Sequence, residues 1–287
     1  MPNLPSKRYF EAAFPHSRYI ELTMHELGHE YCKPKYTVRP FNKSNYLFHY
    51  VFSGKGRLIT TDASNISKGY TVNPGEGFMI WPEQTITYIA DKDNPWQYAW
   101  IKFDGLLARE LVAKSGLDPN NPIYHASTPE GSSLLAQSIT AIIGNAERPH
   151  LELIGRLYMF MSTLIETSYR NELTNGASQQ DVHVQKAIAY IGQHYQTDIT
   201  VQEIADYCNV HRSYLCRVFK AALDTTPQQF VISYRIKRAC ELLMTSQLPI
   251  AEISTQVGYP NSINFTRAFK REVGQSPQKW KKTAGRE

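Results

Sequence analysis

Apolar positions recur with two different periods along the chain, and the change of period divides it. From Tyr19 to Phe103 the rhythm is short and strand-like. Tyr46–Phe52 is a run of aromatic and β-branched residues, stopped by Gly54-Lys55-Gly56. Arg57–Thr61 resumes it. Gly69–Val72 leads into the turn Pro74-Gly75-Glu76-Gly77, and Phe78–Trp81, Thr85–Ala90 and Gln97–Phe103 follow. Short strands with turn signals every ten residues or so predict a small sandwich or barrel. Residues 1–18, with three prolines and little periodicity, read as an arm. After Asp104-Gly105 the spacing becomes helical over Leu106–Ser115, Ser132–Ile143 and His150–Tyr169. In the last of these Ile154, Leu157, Tyr158, Met161, Leu164 and Ile165 make one stripe, with Leu153 and Phe160 off it. Apolar side chains beyond one stripe need a second surface, either the strand-rich region or a second copy of the chain. Residues 171–181 are polar without periodicity and read as a linker.

The remaining stretch holds one pattern twice. Leu215-Cys-Arg-Val-Phe-Lys220 leads, seven residues on, to Pro227-Gln228. Phe265-Thr-Arg-Ala-Phe-Lys270 leads, seven residues on, to Pro277-Gln278. Arg217 maps to Arg267, Phe219 to Phe269 and Pro227 to Pro277, each by a shift of 50. Two copies of one supersecondary unit explain this more simply than chance. Each copy reads as helix, turn, helix, over 200–222 and 250–273. Thr200 with Glu203 predicts a capping box, and Ile204, Ala205 and Cys208 a short apolar face. His211 and Asn261 take the cap positions of the second helices, whose buried stripes are Leu215, Val218, Phe219 and Phe265, Ala268, Phe269. Thr226–Thr245 predicts a long helix between the copies, opened by Pro227.

Charge sharpens the division. Residues 182–287 carry 14 Lys and Arg against 8 Asp and Glu, and residues 1–181 carry 17 against 18. The whole positive excess therefore sits with the repeat, where phosphates could use it. The outward faces of the second helices carry Arg212, Ser213, Cys216 and Arg217 in one copy, and Ser262, Ile263, Thr266 and Arg267 in the other. A helix of this size fits the major groove, and Arg grips guanine bidentately. Arg217 and Arg267 are the expected base readers with the others beside them, and Lys220, Lys270 and Arg271 the expected phosphate contacts.

These residues carry a resemblance. Residues 183–283 are similar to the DNA-binding domain of the AraC/XylS family of transcription regulators, with Val257-Gly258-Tyr259 and Asn264-Phe-Thr-Arg-Ala-Phe-Lys270 close to the family signature. The resemblance implies two helix-turn-helix units reading successive major grooves from either end of the long helix. The strand-rich region resembles the cupin-like effector domain of the same family, through Gly54-Lys55-Gly56, the Pro74–Gly77 turn and the Trp96…Trp100…Phe103 stretch. The arabinose-responsive member implies sugar-pocket roles for Arg39, Tyr88 and Trp100. Tyr98 stands where that member has a histidine. His49 joins them on our own reading of a polar-aromatic interior. Tyr88-Ile-Ala-Asp91 and Pro95-Trp-Gln-Tyr-Ala-Trp100 resemble the multiple-sugar and raffinose-type regulators, which implies an α-galactoside such as raffinose or melibiose.

Catalysis and metals find no support in the sequence. His49 is alone on its strand, without the His-x-His pair of a metal-binding cupin. No Gly-rich phosphate loop and no nucleophile in a recognisable context occurs. Four cysteines (Cys32, Cys208, Cys216, Cys240) lack close pairing, the N-terminus lacks a signal-like apolar run, and no run reaches membrane-span length. The expectation is an α+β chain in the cytoplasm without cofactor or metal. An arm and cupin-like barrel (1–105) precede a helical dimerisation segment (106–170), a linker (171–181) and an all-α DNA-binding domain (182–287). Its expected partners are double-stranded DNA at direct repeats or half-sites, a sugar effector, RNA polymerase and a second copy, in the role of an activator. A barrel serving only as a structural or docking module is the first alternative, and a cupin-type sugar enzyme with a DNA-binding appendage the second.

Overall fold

A computed structural model describes residues 7–14, 19–41, 45–61, 66–170 and 179–284, the side chains at 39–41, 179–181 and 283–284 excepted. The chain divides into two compact units, Met1–Asn175 and Gly176–Glu287.

The first unit is built on ten strands: β1 Tyr9–Ala13, β2 Thr23–Tyr31, β3 Thr37–Phe41, β4 Tyr46–Ser53, β5 Gly56–Thr61, β6 Ser67–Val72, β7 Gly77–Ile80, β8 Thr85–Ala90, β9 Gln97–Asp104 and β10 Ile123–Tyr124. They pair in two sheets, one ordered β1-β2-β9-β4-β7-β10 and one β3-β8-β5-β6. The β-rich domain expected from the sequence is therefore present, with its ladders divided between two layers among the described residues. Helices α1 (Ala108–Lys114), α2 (Pro129–Ile143) and α3 (His150–Thr167) follow.

Strand β4 shows how the layers are made. Successive side chains of a strand face opposite ways, and β4 is buried on both faces. Tyr46, Phe48 and Tyr50 join the apolar cluster shared with α1, α2 and α3, and Leu47 and Val51 join the cluster between the sheets. Strand β9 divides the same way: Ala99, Ile101 and Phe103 face the helices, Tyr98 and Trp100 the other sheet. An uninterrupted apolar run is what a strand covered on both faces requires.

Two parts of this unit differ from the sequence reading. Residues expected to form an arm contain β1, antiparallel to β2 from Tyr9 opposite Glu30 to Ala13 opposite Glu26. The buried stripe of α3 is also rotated from the one expected: Leu153 and Phe160 are fully buried, whereas Tyr158 is 40% exposed. α3 packs on both α2 and the sheet, as Phe160 against Phe48 illustrates (ring centroids 5.5 Å apart), and two partners widen and turn the covered face.

The second unit is helical: α4 Gln179–His194, α5 Val201–Tyr207, α6 Arg212–Leu223, α7 Pro227–Thr245, α8 Ile250–Gln256, α9 Ser262–Val273 and α10 Pro277–Ala284. Helix α4 begins inside the stretch expected to be linker, of which residues 171–178 lie outside the described residues. The capping box forms: the Thr200 hydroxyl accepts from the Glu203 amide at 3.2 Å and the Glu203 carboxylate accepts from the Thr200 amide at 2.7 Å. The repeat reaches the caps. Asp224 and Gly274 end α6 and α9 in the left-handed conformation, and Thr226 and Ser276 accept from the amides of Gln229 and Lys279.

Candidate functional site

The two second helices present nearly the same surface. Along 211–220 and 261–270 the order of buried and exposed positions is identical except at Tyr214 and Asn264. Leu215, Val218 and Phe219 are buried under α6, and Phe265, Ala268 and Phe269 under α9. What faces outward is therefore fixed by the same arithmetic in both: Arg212, Ser213 and Arg217 are exposed with Cys216 half-buried, and Ser262, Ile263 and Arg267 are exposed with Thr266 half-buried. The Asn261 carboxamide caps α9, accepting from the amides of Ile263 (2.8 Å) and Asn264 (3.4 Å). The Arg217 guanidinium lies 5.3 Å from the Tyr214 ring centre, which steers the charge along the outer face. Among the expected phosphate contacts, Lys220 binds Asp224 (3.0 Å) and Arg271 lies 3.6 Å from Glu272, while Lys270 is exposed.

Helix α7 holds the copies apart. Its 19 residues span about 28 Å at 1.5 Å per residue, close to one turn of DNA. Arg235 fixes its middle. It is buried, donates to the carbonyls of Tyr195 (2.8 Å) and Thr197 (2.6 Å) after α4, and lies 5.3 Å from the Tyr259 ring before α9. Gly258 completes this junction with φ +84°; a Cβ there would stand 2.5 Å from the Tyr195 carbonyl. That double demand, left-handed backbone and close approach, is what the Gly of Val257-Gly258-Tyr259 supplies.

The first unit contains a cavity of about 300 Å³ between its sheets. His49, Tyr88, Tyr98 and Trp100, four of the five expected ligand residues, line it together. The fifth, Arg39, lies in β3 beside the lining residue Val38, and its side chain is outside the described residues. Tyr9, Glu11, Glu26, Glu30, Tyr36 and Leu47 also line the cavity and were not anticipated. The Trp100 indole donates to Glu26 (2.9 Å), which also receives Lys102 (3.1 Å), and Tyr98 donates to Glu30 (3.2 Å). The Tyr9 hydroxyl donates to Glu11, and its ring sits 5.9 Å from that of Trp100. His49 stacks on Phe78 at 4.4 Å, with Tyr88 and Tyr98 edge-on at 5.2 and 5.1 Å.

A β-bulge aims the glutamates. Register between β2 and β9 slips between Met24 and Glu26. After the slip Glu26, Gly28 and Glu30 stand opposite Lys102, Trp100 and Tyr98. Gly28 gives the indole its room, since a Cβ there would lie 2.5 Å from the Trp100 ring and 2.2 Å from the Phe10 carbonyl. The alternation Glu26-Leu-Gly-His-Glu30 was the available signal, placing both carboxylates on one strand face.

Burial raises the hydroxyl pKa of Tyr88 and Tyr98 well above the usual phenol value. Tyr9 is raised as well, by burial first and then by its hydrogen bond to Glu11 and the charges of Glu26 and Glu30. Cys32 is pushed up to about 12, chiefly by burial. No group of His, Cys, Asp and Glu among the described residues is arranged to hold a metal ion, and no described helix is long and apolar enough to cross a membrane.

Residues 24–161 match the AraC-like ligand binding domain, and residues 181–283 match a family described as Helix-turn-helix domain. The Msm operon regulatory protein of Streptococcus mutans is 30% identical over 268 residues, covering 92% of this chain and 93% of that protein. The chain belongs to the AraC family of transcription regulators. Further AraC-family relatives are the raffinose operon transcriptional regulatory protein RafR of Pediococcus pentosaceus (29% identity, 90% of this chain and 92% of that protein) and the lactose operon transcription activator of Staphylococcus xylosus (25%, 91% and 92%). This AraC-family chain is a DNA-binding transcription regulator with a ligand-binding domain.

Proposed function

We propose that the chain regulates, as an activator, a sugar-utilisation operon in response to a neutral sugar bound in the N-terminal cavity. The observation that carries this reading is the pairing of flat rings with carboxylates on one cavity wall: Trp100 and Tyr9 beside Glu26, Glu30 and Glu11. A ring offers its face to the apolar side of a pyranose, and carboxylates accept hydrogen bonds from hydroxyls. The volume supports a ligand of sugar size. Three carboxylates also disfavour an anion, so a phosphorylated sugar is expected to bind worse than its parent. Relatives named for raffinose and lactose operons support an oligosaccharide, with an α-galactoside first, and one named an activator supports the sense of control.

Dimerisation through α2 and α3 is part of the proposal. Leu134 on α2 and Leu151 and Met159 on α3 are more than half exposed and Tyr158 is 40% exposed. Spacings of seven and eight residues put the three of α3 on one side of that helix, which leaves an apolar strip there. The effector would bind two arrangements of the dimer with different affinity and so alter which half-sites are held together, with RNA polymerase as the downstream partner.

The test is thermal unfolding of the purified chain against mono- and oligosaccharides and their phosphates, repeated on Trp100→Ala and Glu26→Gln. A true effector at a hundred times its dissociation constant stabilises by about 2.7 kcal/mol. The reading expects a shift with a neutral galactoside that both variants lose. No shift with any sugar, in protein that still binds DNA, would discard it in favour of a structural or docking role.

A further inference from the structure

The two reading helices share a shape but not a chemistry. Their outward arginines match, Arg217 with Arg267. The outward residues before them do not: Arg212, Ser213 and Cys216 on α6 correspond to Ser262, Ile263 and Thr266 on α9. Ile263 is 60% exposed and lies outside the apolar cluster that α9 helps to build. It contributes nothing to the core, and it stands in the first turn of α9, next to the capped end that leads into a major groove. Thr266, one turn on, donates its hydroxyl hydrogen to the Ser262 carbonyl at 2.8 Å. No hydroxyl hydrogen of Thr266 is then left for a base.

In the major groove the apolar feature that base pairs offer is the C5-methyl of thymine; the other exposed edges are hydrogen-bond donors and acceptors. An isoleucine is mute toward donors and acceptors and gains only by covering that methyl. We propose that Ile263 reads thymine methyl groups, with Thr266 at its side, so that the half-site under α9 is selected for thymine while that under α6 is not. Arg217 and Arg267 give each half-site a guanine contact in common. The neighbouring residues make the halves unlike, and the binding element under one chain therefore has a direction.

Replacing thymine by uracil removes the methyl group and leaves pairing and every hydrogen-bonding edge intact. A duplex is first enriched from a random library with the whole purified chain. The half-site under α9 is identified as the one whose protection Arg267→Ala weakens. Thymines are then replaced by uracil in one half-site at a time. The native chain is expected to lose about fourfold in affinity for each contacted thymine in the α9 half, and nothing in the α6 half. Ile263→Ala, an exposed substitution checked by an unchanged unfolding midpoint, is expected to bind thymine and uracil duplexes alike. Equal binding of both duplexes by the native chain would overturn the proposal, as would an undiminished uracil penalty in Ile263→Ala.

Discussion

Tyr88 and Tyr98 hold their protons because the cavity around them is apolar on one side and anionic on the other. Tyr98 is almost completely buried and donates to a carboxylate it could not face as a phenolate. Both are phenols in the fold far above the pH at which an unfolded tyrosine ionises, near 10. A raised folded pKa contributes stability that is whole below the unfolded value and is lost progressively as pH rises from there through the folded value. The urea midpoint is therefore expected to be insensitive to these residues up to about pH 9 and to fall ever further as the pH is raised above about 10. Tyr98→Phe should flatten that fall, and tyrosinate absorbance should show the buried phenols ionising with unfolding rather than before it. An early, gradual titration in the folded state would refute the assignment. Near neutrality both residues remain uncharged phenols, with the Tyr98 hydrogen given to Glu30, which suits a neutral, hydroxyl-rich ligand.

Arg235 sets the terms at the scale of elements, because one guanidinium ties the end of α4, the middle of α7 and the approach to α9. Arg235→Met would keep the apolar stem and leave two buried carbonyls without their donor. The expected cost is about 2–4 kcal/mol, read as a lower thermal midpoint of the helical unit and weaker binding to any sequence. The elements differ in how plainly the chain announces them. The 50-residue repeat made α6 and α9 legible down to their caps, because local rules and tertiary role agree there. Strand β2 stayed hidden: its bulge at His25 breaks the alternation of Met24 and Leu27, and its cavity-facing residues are glutamates and a glycine. The stripe of α3 was misread by the position of Leu153 and Phe160, since a single sequence does not say how many surfaces will cover a helix. Trp100 and Tyr98 were legible as aromatics on one strand face, but the carboxylates that meet them belong to a strand 68 to 74 residues away.

At the scale of the molecule, positive charge and exposed apolar residues of α2 and α3 lie on different units, so binding to DNA and the proposed pairing of chains are separable by substitution. Met159→Glu puts a charge into the strip at a position 67% exposed. It is expected to leave the circular dichroism of the folded chain unchanged, as an exposed substitution should, while shifting the sedimenting species from the proposed dimer to monomer and weakening DNA binding through lost avidity. A dimer unchanged by the substitution would move the interface elsewhere, and a native chain that sediments as a monomer would remove the proposed pairing. The clasp on α7 carries one more consequence. Two teeth at fixed pitch can only mesh with a thread of matching pitch. One base pair inserted between the half-sites turns the far one by roughly 35° about the duplex axis, and a helix pinned at its centre cannot turn to follow. DNA must then twist to suit the protein, so that operators differing in phase by a single base pair become different substances to it even when every contacted base is the same.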